Sequence, residues 1–497
     1  MTNIIIFSQN VVLSEESFKH IKNKNIETYI LTTNSLFDNE KRLIKDFFKY
    51  SFFVDFEDYL TDEEMSQIDE NAFRGADRPY EEYILEIRKL KNKLVADKIT
   101  KDRNYNGYLF SSNNDLGIVD EVWVKKGFVK CNVNFYYNSD SSKQSAVSIA
   151  KSFIKNILKK TFIYDIYKKK RNLLTIEDVR VAVKDNHKFI LIGKPNRIDY
   201  RIDIPFEKSS EDLKNLNSGI YEKKEACTYL VPWHEYPKCH VPDSDEYDVQ
   251  WVQDGYLPSN YSDYTYSFKP NNVRYSVWDA MGAKLFINKN LPYCSMPYRK
   301  KLYLPKAKFN TKISRVLIAT SASGDWTALK NRSDDDYLVK AIVEVAKRYP
   351  QIMFVYRCHP NWICSDTLGT NSINRLSNYF NELNLDNLKI SGNIPDGKST
   401  RTFSRSSLEE DLKAADIVFG EHSVSMIDGG FMGIPFCSIN MSNRRNFFQN
   451  MNDLGFPSCN TVDDICNLLD SYTHPGFQEK YQNAINNYNN MTDIDYF

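Results

Sequence analysis

The last third of the sequence alternates short apolar runs with amphipathic segments. Val316–Ala319, Ile352–Tyr356 and Phe436–Ile439 are apolar runs of the length expected for buried strands. Between the first two, Asp334 opens a segment whose apolar residues recur every three to four positions, as on one face of a helix. Strands that are separated by helices pair in parallel, and the helices cover both faces of the sheet. The pattern therefore predicts an α/β fold.

The remainder of the chain shows the same alternation at wider spacing, and 497 residues are enough for two or three domains. A stretch rich in proline and lysine at 291–312 is typical of an interdomain connection. Farther along, Ser406 and Glu409 have the spacing of a capping box at a helix start. The predicted divisions are an N-terminal, acceptor-side domain with helical insertions at 1–300, a C-terminal, donor-binding domain at 313–470 and a helical tail at 471–497.

Two polar segments follow predicted strands of the C-terminal domain, where doubly wound folds bind ligands. In Arg357-Cys358-His359-Pro360, the proline holds the chain near the histidine, whose imidazole can donate to a phosphate while the arginine adds charge. In Gly420-Glu421-His422-Ser423-Val424-Ser425, free backbone N–H groups and hydroxyls at a helix start suit a phosphate. The alternatives are a loop histidine with a structural partner and a serine that only caps the helix.

Two further segments have the character of site residues. Ser321-Ala322-Ser323-Gly324 follows the strand at 316–319, and its small side chains permit close approach of a ligand or form a tight turn. In the N-terminal half, Gln253-Asp254-Gly255 follows the predicted strand Val249–Val252. The carboxylate of Asp254 beside a permissive glycine can act as a base or nucleophile, and a simple Asp-Gly turn is the alternative.

The order of these motifs resembles that of bacterial glycosyltransferases that use CMP-activated sugars. The β-Kdo transferases of capsule and lipopolysaccharide synthesis and, more distantly, the sialyltransferases have an acidic-Asp-Gly motif, a basic-x-His-Pro motif and a serine motif. Asp254-Gly255, Arg357-Cys358-His359-Pro360 and Ser423-Val424-Ser425 are similar to these, in the same order. Gln253 replaces the usual acidic residue, and Val424 separates the two serines.

The resemblance implies a GT-B architecture, with two Rossmann-like domains that face a central cleft. It implies that Asp254 is the catalytic carboxylate, acting as a base in the sialyltransferase-like mechanism and as a nucleophile in the β-Kdo-like one. It also implies that His359 contacts the donor phosphate and that Ser423 and Ser425 hold the phosphate or cytidine. Together with the neighbouring polar segments, the predicted donor site comprises Arg357, His359, Pro360, His422, Ser423, Ser425, Ser323 and Gly324.

The resemblance further implies transfer of Kdo or another 2-keto acid sugar from CMP to a glycan or lipid-linked glycan acceptor. A UDP-sugar transferase or a CDP-polyol phosphotransferase could share the architecture. A nucleotide-sugar epimerase or hydrolase and a non-catalytic glycan-binding protein are alternatives from other classes.

Charge patterning limits the remaining partners. Lys and Arg together number 65, as do Asp and Glu, so the chain lacks the basic surplus typical of nucleic-acid binding. Asp334-Asp335-Asp336 opens a helix, where the helix dipole explains its charge, and we expect neither a metal nor another cofactor. The basic amphipathic stretch Lys151–Arg171 can contact an anionic membrane or pack as an ordinary helix. These features predict a cytoplasmic protein, either free or peripheral on the inner face of the membrane.

Overall fold

The computed structural model describes most of the chain, in segments. These are residues 1–7, 11–12, 18–19, 21, 23–32, 38–55, 59–61, 63–64, 67–68, 80–110, 119–131, 134–135, 173–193, 202–232, 241–242, 244–253, 273–288, 293–300, 302–320, 334–357, 376–377, 379–392, 403–421, 423–441 and 448–492.

The strands are β1 (Thr2–Phe7), β2 (Val11–Val12), β3 (Thr28–Thr32), β4 (Ser51–Asp55), β5 (Tyr105–Phe110), β6 (Val129–Lys130), β7 (Asn134–Phe135), β8 (Val179–Lys184), β9 (His187–Ile192), β10 (Glu207–Lys208), β11 (Cys227–Pro232), β12 (Asp248–Val252), β13 (Val273–Val277), β14 (Tyr293–Ser295), β15 (Arg315–Thr320), β16 (Met353–Arg357), β17 (Leu388–Gly392), β18 (Phe403–Arg405), β19 (Ile417–Glu421), β20 (Phe436–Ile439) and β21 (Ser458–Cys459). The helices are α1 (Asp38–Phe47), α2 (Tyr80–Thr100), α3 (Asp120–Lys125), α4 (Ser210–Asn217), α5 (Ala280–Asn288), α6 (Asp334–Arg348), α7 (Leu408–Ala414), α8 (Ser425–Phe431), α9 (Gln449–Asn452), α10 (Val462–Ser471) and α11 (Pro475–Thr492).

The first sheet is parallel throughout, with strand order β4-β3-β1-β5-β6. Ile4 and Ile6 face one core together with residues of α2 and α3, whereas Ile5 and Phe7 face a second core with α1. Successive side chains of a strand point to opposite faces, so a strand covered on both faces is apolar at every position. The order around β1 is that of a doubly wound, Rossmann-like sheet.

The third sheet has the same character, with order β18-β17-β16-β15-β19-β20-β21 and parallel pairing throughout. Ile417 and Phe419 point into the core that contains α6 and α10. Val418 points to the opposite face, where Gly429 of α8 and Leu412 of α7 lie together. The expectation of an α/β fold with parallel sheets is confirmed.

The second sheet is mixed, with order β10-β8-β9-β11-β12-β13-β14. Strand β8 pairs antiparallel with β9 and β10, and all other neighbours are parallel. One face buries an apolar core that includes Tyr229, Val249, Trp251 and Tyr275.

The chain divides into two compact units, one containing residues 1–137 and 304–485 and the other residues 138–303 and 486–497. The range 1–300 therefore contributes one large sheet to each unit, and these two sheets have separate hydrophobic cores. The first unit also contains a two-stranded antiparallel sheet of β2 and β7. Lys151–Arg171 lies outside the described residues. Among the residues that the structure describes, no helix combines the length and hydropathy needed to cross a bilayer.

One local prediction at a helix start is wrong by a residue. The capping box of α7 is formed by Ser407 and Glu410. The Ser407 hydroxyl accepts from the backbone N–H of Glu410 at 3.2 Å, and the Glu410 carboxylate accepts from the backbone N–H of Ser407 at 2.7 Å. Ser406 instead donates its hydroxyl hydrogen to Asp411 at 2.9 Å. The buried carboxylate competes for the first serine, so the helix begins one residue later than the spacing alone predicts.

Asp416 fastens the segment before β15 to the start of β19. Its carboxylate accepts hydrogen bonds from the backbone N–H groups of Ser314 and Arg315 at 2.6 and 2.8 Å, from the Ser314 hydroxyl and from the amide of Asn310. Burial alone raises the pKa of this carboxyl, but the bonds from Ser314, Asn310 and Arg315 outweigh burial and lower its pKa below the usual value.

Replacing Asp416 with asparagine is expected to lower the free energy of unfolding at neutral pH by about 2 kcal/mol, because the new amide places a donor against backbone donors. Since the folded-state pKa is depressed, the wild-type contribution is fully present above the ordinary carboxyl pKa and is lost as the pH falls from there through the lower folded-state pKa. Urea unfolding should therefore show a larger difference at pH 7 than at pH 3. An equal difference at both values would contradict the assignment.

Candidate functional site

The carboxyl edge of the third sheet is the candidate donor site. Its strand order reverses at β15, which pairs with β16 on one side and with β19 on the other. These three strands end at Thr320, Arg357 and Glu421, respectively. Ligands of open α/β sheets bind outside the carboxyl ends of the strands at such a reversal. All three C-terminal polar segments identified in the sequence continue from these adjacent strand ends.

The structure describes only part of the predicted site. Arg357, Ser423 and Ser425 lie within the described residues, whereas Ser323, Gly324, His359, Pro360, His422 and the catalytic candidate Asp254 lie outside them. The roles of all these residues stay predictions.

A side-chain hydrogen bond joins two of the strand ends. The Thr320 hydroxyl, which is buried, donates to the backbone carbonyl oxygen of Arg357 at 2.8 Å. Thr320 immediately precedes the Ser321–Gly324 segment, and Arg357 precedes His359 by two residues. The bond therefore fixes the points from which two of the predicted donor-binding segments leave the sheet.

The guanidinium of Arg357 is held inside the domain. Its Nη1 atom donates to Asp411 Oδ2 at 2.5 Å and to the carbonyl oxygen of Ser406 at 3.1 Å, and its side chain is 10% exposed. The Asp411 carboxylate also accepts from the hydroxyls of Ser391 and Ser406, at 2.6 and 2.9 Å, and its side chain is 1% exposed. The geometry favours a positioning role for Arg357 at the end of β16, and its direct contact with a donor stays a prediction.

Ser423 follows β19 and precedes α8. It is buried, and its carbonyl oxygen accepts from the N–H of Met426 at 3.3 Å. The residue at the N-cap of α8 is Val424, whose side chain makes no capping hydrogen bond. Ser425 begins the helix and is half-buried.

Close packing holds α8 against the sheet. A Cβ atom added at Gly420 would lie 2.7 Å from Cβ of Met426, and one at Gly430 would lie 2.6 Å from the Phe436 ring. Real Cβ atoms do not approach so closely, so these two glycines permit the close packing of α8 against β19 and β20.

In the second sheet, the residue before Asp254 is anchored. Gln253 is 1% exposed, and its backbone N–H donates to the carbonyl oxygen of Ser276 at 2.9 Å. Its side-chain oxygen accepts from the N–H of Trp278 at 3.2 Å, and its amide nitrogen lies 3.5 Å from Asp279 Oδ1. Asp279 also accepts from the N–H of Gly282 at 2.7 Å, at the start of α5. The amide of Gln253 thus joins the ends of β12 and β13.

This arrangement requires an amide side chain at position 253. The side chain must both accept from Trp278 and face the carboxylate of Asp279, and a glutamate would place two buried carboxylates together.

Replacing Gln253 with glutamate is expected to destabilise the protein by about 1–3 kcal/mol at pH 8 and less at pH 5, where the new carboxyl is more readily protonated. Gln449→Glu is a matched control, because Gln449 donates to Asp453 at 2.8 Å at an exposed position. Thermal unfolding of both variants at the two pH values provides the measurement. A Gln253→Glu variant that melts like the control would contradict the anchoring role.

Sequence reasoning missed Asp411 and Asp279. Asp411 lies in the acidic first turn of α7, which helix-dipole effects explain without a specific partner. Asp279 directly precedes α5, and aspartate is common at the N-cap of helices, so its position could have predicted a capping role. Within the described part of the chain, no three His, Cys, Asp or Glu side chains are grouped as metal ligands.

Comparison with known proteins finds no matching family model and no matching curated protein. Similar solved structures include the following three. S. aureus TarM, in complex with fondaparinux, alpha-GlcNAc-glycerol and UDP, is 11% identical, with 99% of this chain and 97% of that chain covered and a TM-score of 0.38. The GtfA/B complex is 10% identical, covering 63% and 62% of the two chains with a TM-score of 0.32. The Gap123 glycosylation-associated protein complex from Streptococcus agalactiae is 12% identical, covering 61% and 60% with a TM-score of 0.32. The α/β assignment rests on the sheet topology described above.

Proposed function

We propose that this protein is a glycosyltransferase of the GT-B type, whose third sheet binds the nucleotide part of an activated sugar. The observation that carries the proposal is the strand reversal at β15, where three adjacent strand ends lead into polar segments. The GT-B architecture has two Rossmann-like domains, and the strand order of the first sheet supports the assignment of a second one.

In the proposed reaction, the bond between the anomeric carbon of the sugar and the donor phosphate breaks, and a bond to an acceptor hydroxyl oxygen forms. As a base, Asp254 takes the proton of that hydroxyl. As a nucleophile, it first bonds to the anomeric carbon as the phosphate leaves and is then displaced by the acceptor oxygen, whose proton passes to the released phosphate. His359, Ser423 and Ser425 stabilise the departing phosphate through fixed hydrogen-bond donors, which is a large contribution in such transfers.

The finer proposal is a CMP donor that carries Kdo or another 2-keto acid sugar, with a glycan or lipid-linked glycan as acceptor. It rests on the motif order described above. UDP and CDP donors are the competing possibilities, and the protein would work in the cytoplasm without a metal.

A thermal-shift series with CMP, CDP, UDP and GDP tests the donor assignment, because a ligand that binds only the folded state raises the melting temperature. We expect CMP to give the largest shift. A larger shift with UDP would change the assigned donor from CMP to UDP and leave the glycosyltransferase assignment in place. The absence of a shift with any nucleotide would contradict the proposal.

The residue assignment needs a separate measurement. His359→Ala and Ser423→Ala are each expected to raise the dissociation constant of the bound nucleotide about tenfold, through loss of a charge-assisted or phosphate-directed hydrogen bond. His474→Ala, at an exposed histidine of the same unit, is the control and should bind normally. Calorimetric titration that finds both site variants unchanged would remove these residues from the donor site.

A further inference from the structure

Strands β12 and β13 alternate polar and apolar side chains although they lie within the parallel part of the second sheet. Val249 and Trp251 enter the apolar core, whereas Asp248 and Gln250 lie on the opposite face. Arg274 of β13 is the register partner of Gln250 and shares that face. Parallel strands are normally apolar on both faces, so this polar face is an exception with a chemical consequence.

The polar side chains form one hydrogen-bonded network. Asp248 Oδ2 accepts from the Thr228 hydroxyl at 2.7 Å and from the Gln250 amide at 3.4 Å, and Oδ1 accepts from Arg274 Nη2 at 2.6 Å. Because Thr228 donates to Asp248, its oxygen accepts from Nε2 of His187, which lies 2.9 Å away. The network holds the Asp248 carboxylate and one edge of the Arg274 guanidinium in place.

One acceptor atom of this network, the side-chain oxygen of Gln250, has no hydrogen-bond donor among the described residues. Gln250 is 7% exposed, and within the described residues its Oε1 atom accepts no hydrogen bond. This oxygen is closed off from solvent, whereas Arg274 and Asp248 of the same network are 55% and 16% exposed and can meet a ligand.

A recess of about 470 Å³ opens at the amino ends of these strands. Lys224, Asp245, Tyr247, Asp248 and Arg274 line it, and the Arg274 side chain is 55% exposed. Small-molecule sites have volumes of this order. Asp248 begins β12 and Val252 ends it, so the recess lies roughly 15 Å from the sheet edge that leads to Asp254.

The lining of the recess indicates the class of ligand. Two cations and two carboxylates give no net charge, which disfavours a simple anion. Asp245 and Asp248 accept hydrogen bonds, Lys224 and Arg274 donate them, and the ring of Tyr247 supplies an apolar surface. A neutral sugar has the complementary features, with C–H groups on its faces and hydroxyls around its rim. We propose that this recess binds a neutral saccharide unit, at a site separate from the carboxyl edge of the same sheet.

Saturation-transfer NMR and calorimetry on the full chain test the proposal, with the methyl glycosides of glucose, galactose and N-acetylglucosamine as probes. We expect saturable binding of at least one glycoside. Lys224→Ala combined with Asp245→Asn changes only exposed residues and should weaken that binding about tenfold, as expected when charged hydrogen-bond partners are removed. Arg274→Ala should weaken it at least as much. Lys208→Ala, at an exposed cation on β10, is the control and should leave it unchanged.

The outcomes separate this site from the donor site. The recess variants should keep the thermal shift caused by nucleotide, because they lie in a different sheet from the proposed donor site. Failure of wild-type protein to bind any of the three glycosides would overturn the proposal, as would glycoside binding that survives the Lys224/Asp245 double change. Inorganic phosphate that displaces the glycoside would show an anion site and overturn it as well.

Discussion

Changing Asp254 to asparagine is expected to leave the protein folded and able to bind nucleotide while reducing sugar transfer roughly 10²-fold or more. Asparagine is almost the same size as aspartate, but its amide neither accepts a proton usefully nor attacks as a carboxylate. The preceding Gln253 is anchored to Ser276 and Trp278, so the chain enters this position from a fixed point. Initial transfer rates, with circular dichroism and nucleotide titration as checks on folding and binding, provide the measurement.

Asp203→Asn is the matched control, since Asp203 is an exposed aspartate of the same compact unit. Its transfer rate should equal that of wild type. Near wild-type transfer by a folded Asp254→Asn protein would remove Asp254 from the reaction. Mass spectrometry separates its two mechanisms, because a sugar adduct on the Asp254 peptide indicates a nucleophile. A product with inverted anomeric configuration and no adduct indicates a base.

Changing Asp411 to alanine is expected to lower the free energy of unfolding by about 3–5 kcal/mol, because it leaves the guanidinium of Arg357 buried without its carboxylate. The hydroxyls of Ser391 and Ser406 lose the same acceptor. Urea unfolding measures the effect. Asp463→Ala is the control, since it breaks an ion pair with Arg348 whose side chains are 79% and 44% exposed, and such pairs contribute about 0–1 kcal/mol.

A double replacement distinguishes an ion pair from a general packing defect. Arg357→Met combined with Asp411→Leu removes both charges of the buried pair and fills the space, so it should recover part of the stability lost by Asp411→Ala. Arg315, which is 31% exposed and lies 3.4 Å from Asp411, loses that contact in both variants. A single change that costs no more than the Asp463 control would contradict the buried pair, as would a double variant less stable than the single one. The double variant also tests positioning, because it should weaken nucleotide binding if Arg357 places the segment that contains His359.

Local patterns located the elements that carry the candidate site. The apolar run Phe436–Ile439 coincides with β20, and Val316–Ala319 and Ile352–Tyr356 each differ from their strands by one or two residues. Such runs are reliable because strands covered on both faces must be apolar at every position. The capping box was displaced by one residue, since Asp411 competes for Ser406.

Pairing between distant residues could not be predicted in this way. Arg357 and Asp411 are 54 residues apart, and Gln253 and Asp279 are 26 residues apart. The sequence pattern indicated that each motif residue could bind a ligand. The local spacing of residues does not identify the carboxylate with which each one forms a hydrogen bond. The partner depends on how helices and strands pack.

The sequence by itself determined the α/β class, the strands that end at the candidate donor site, and the polar segments that follow them. It could do so because periodicity and strand length depend on neighbouring residues. Only the tertiary structure decided that β16, β15 and β19 are adjacent, that residues 1–300 contain two large sheets in separate units, and that Arg357 is held by Asp411. These features depend on the order in which strands join a sheet and on the burial of charge, and both are set by contacts between residues far apart in the chain.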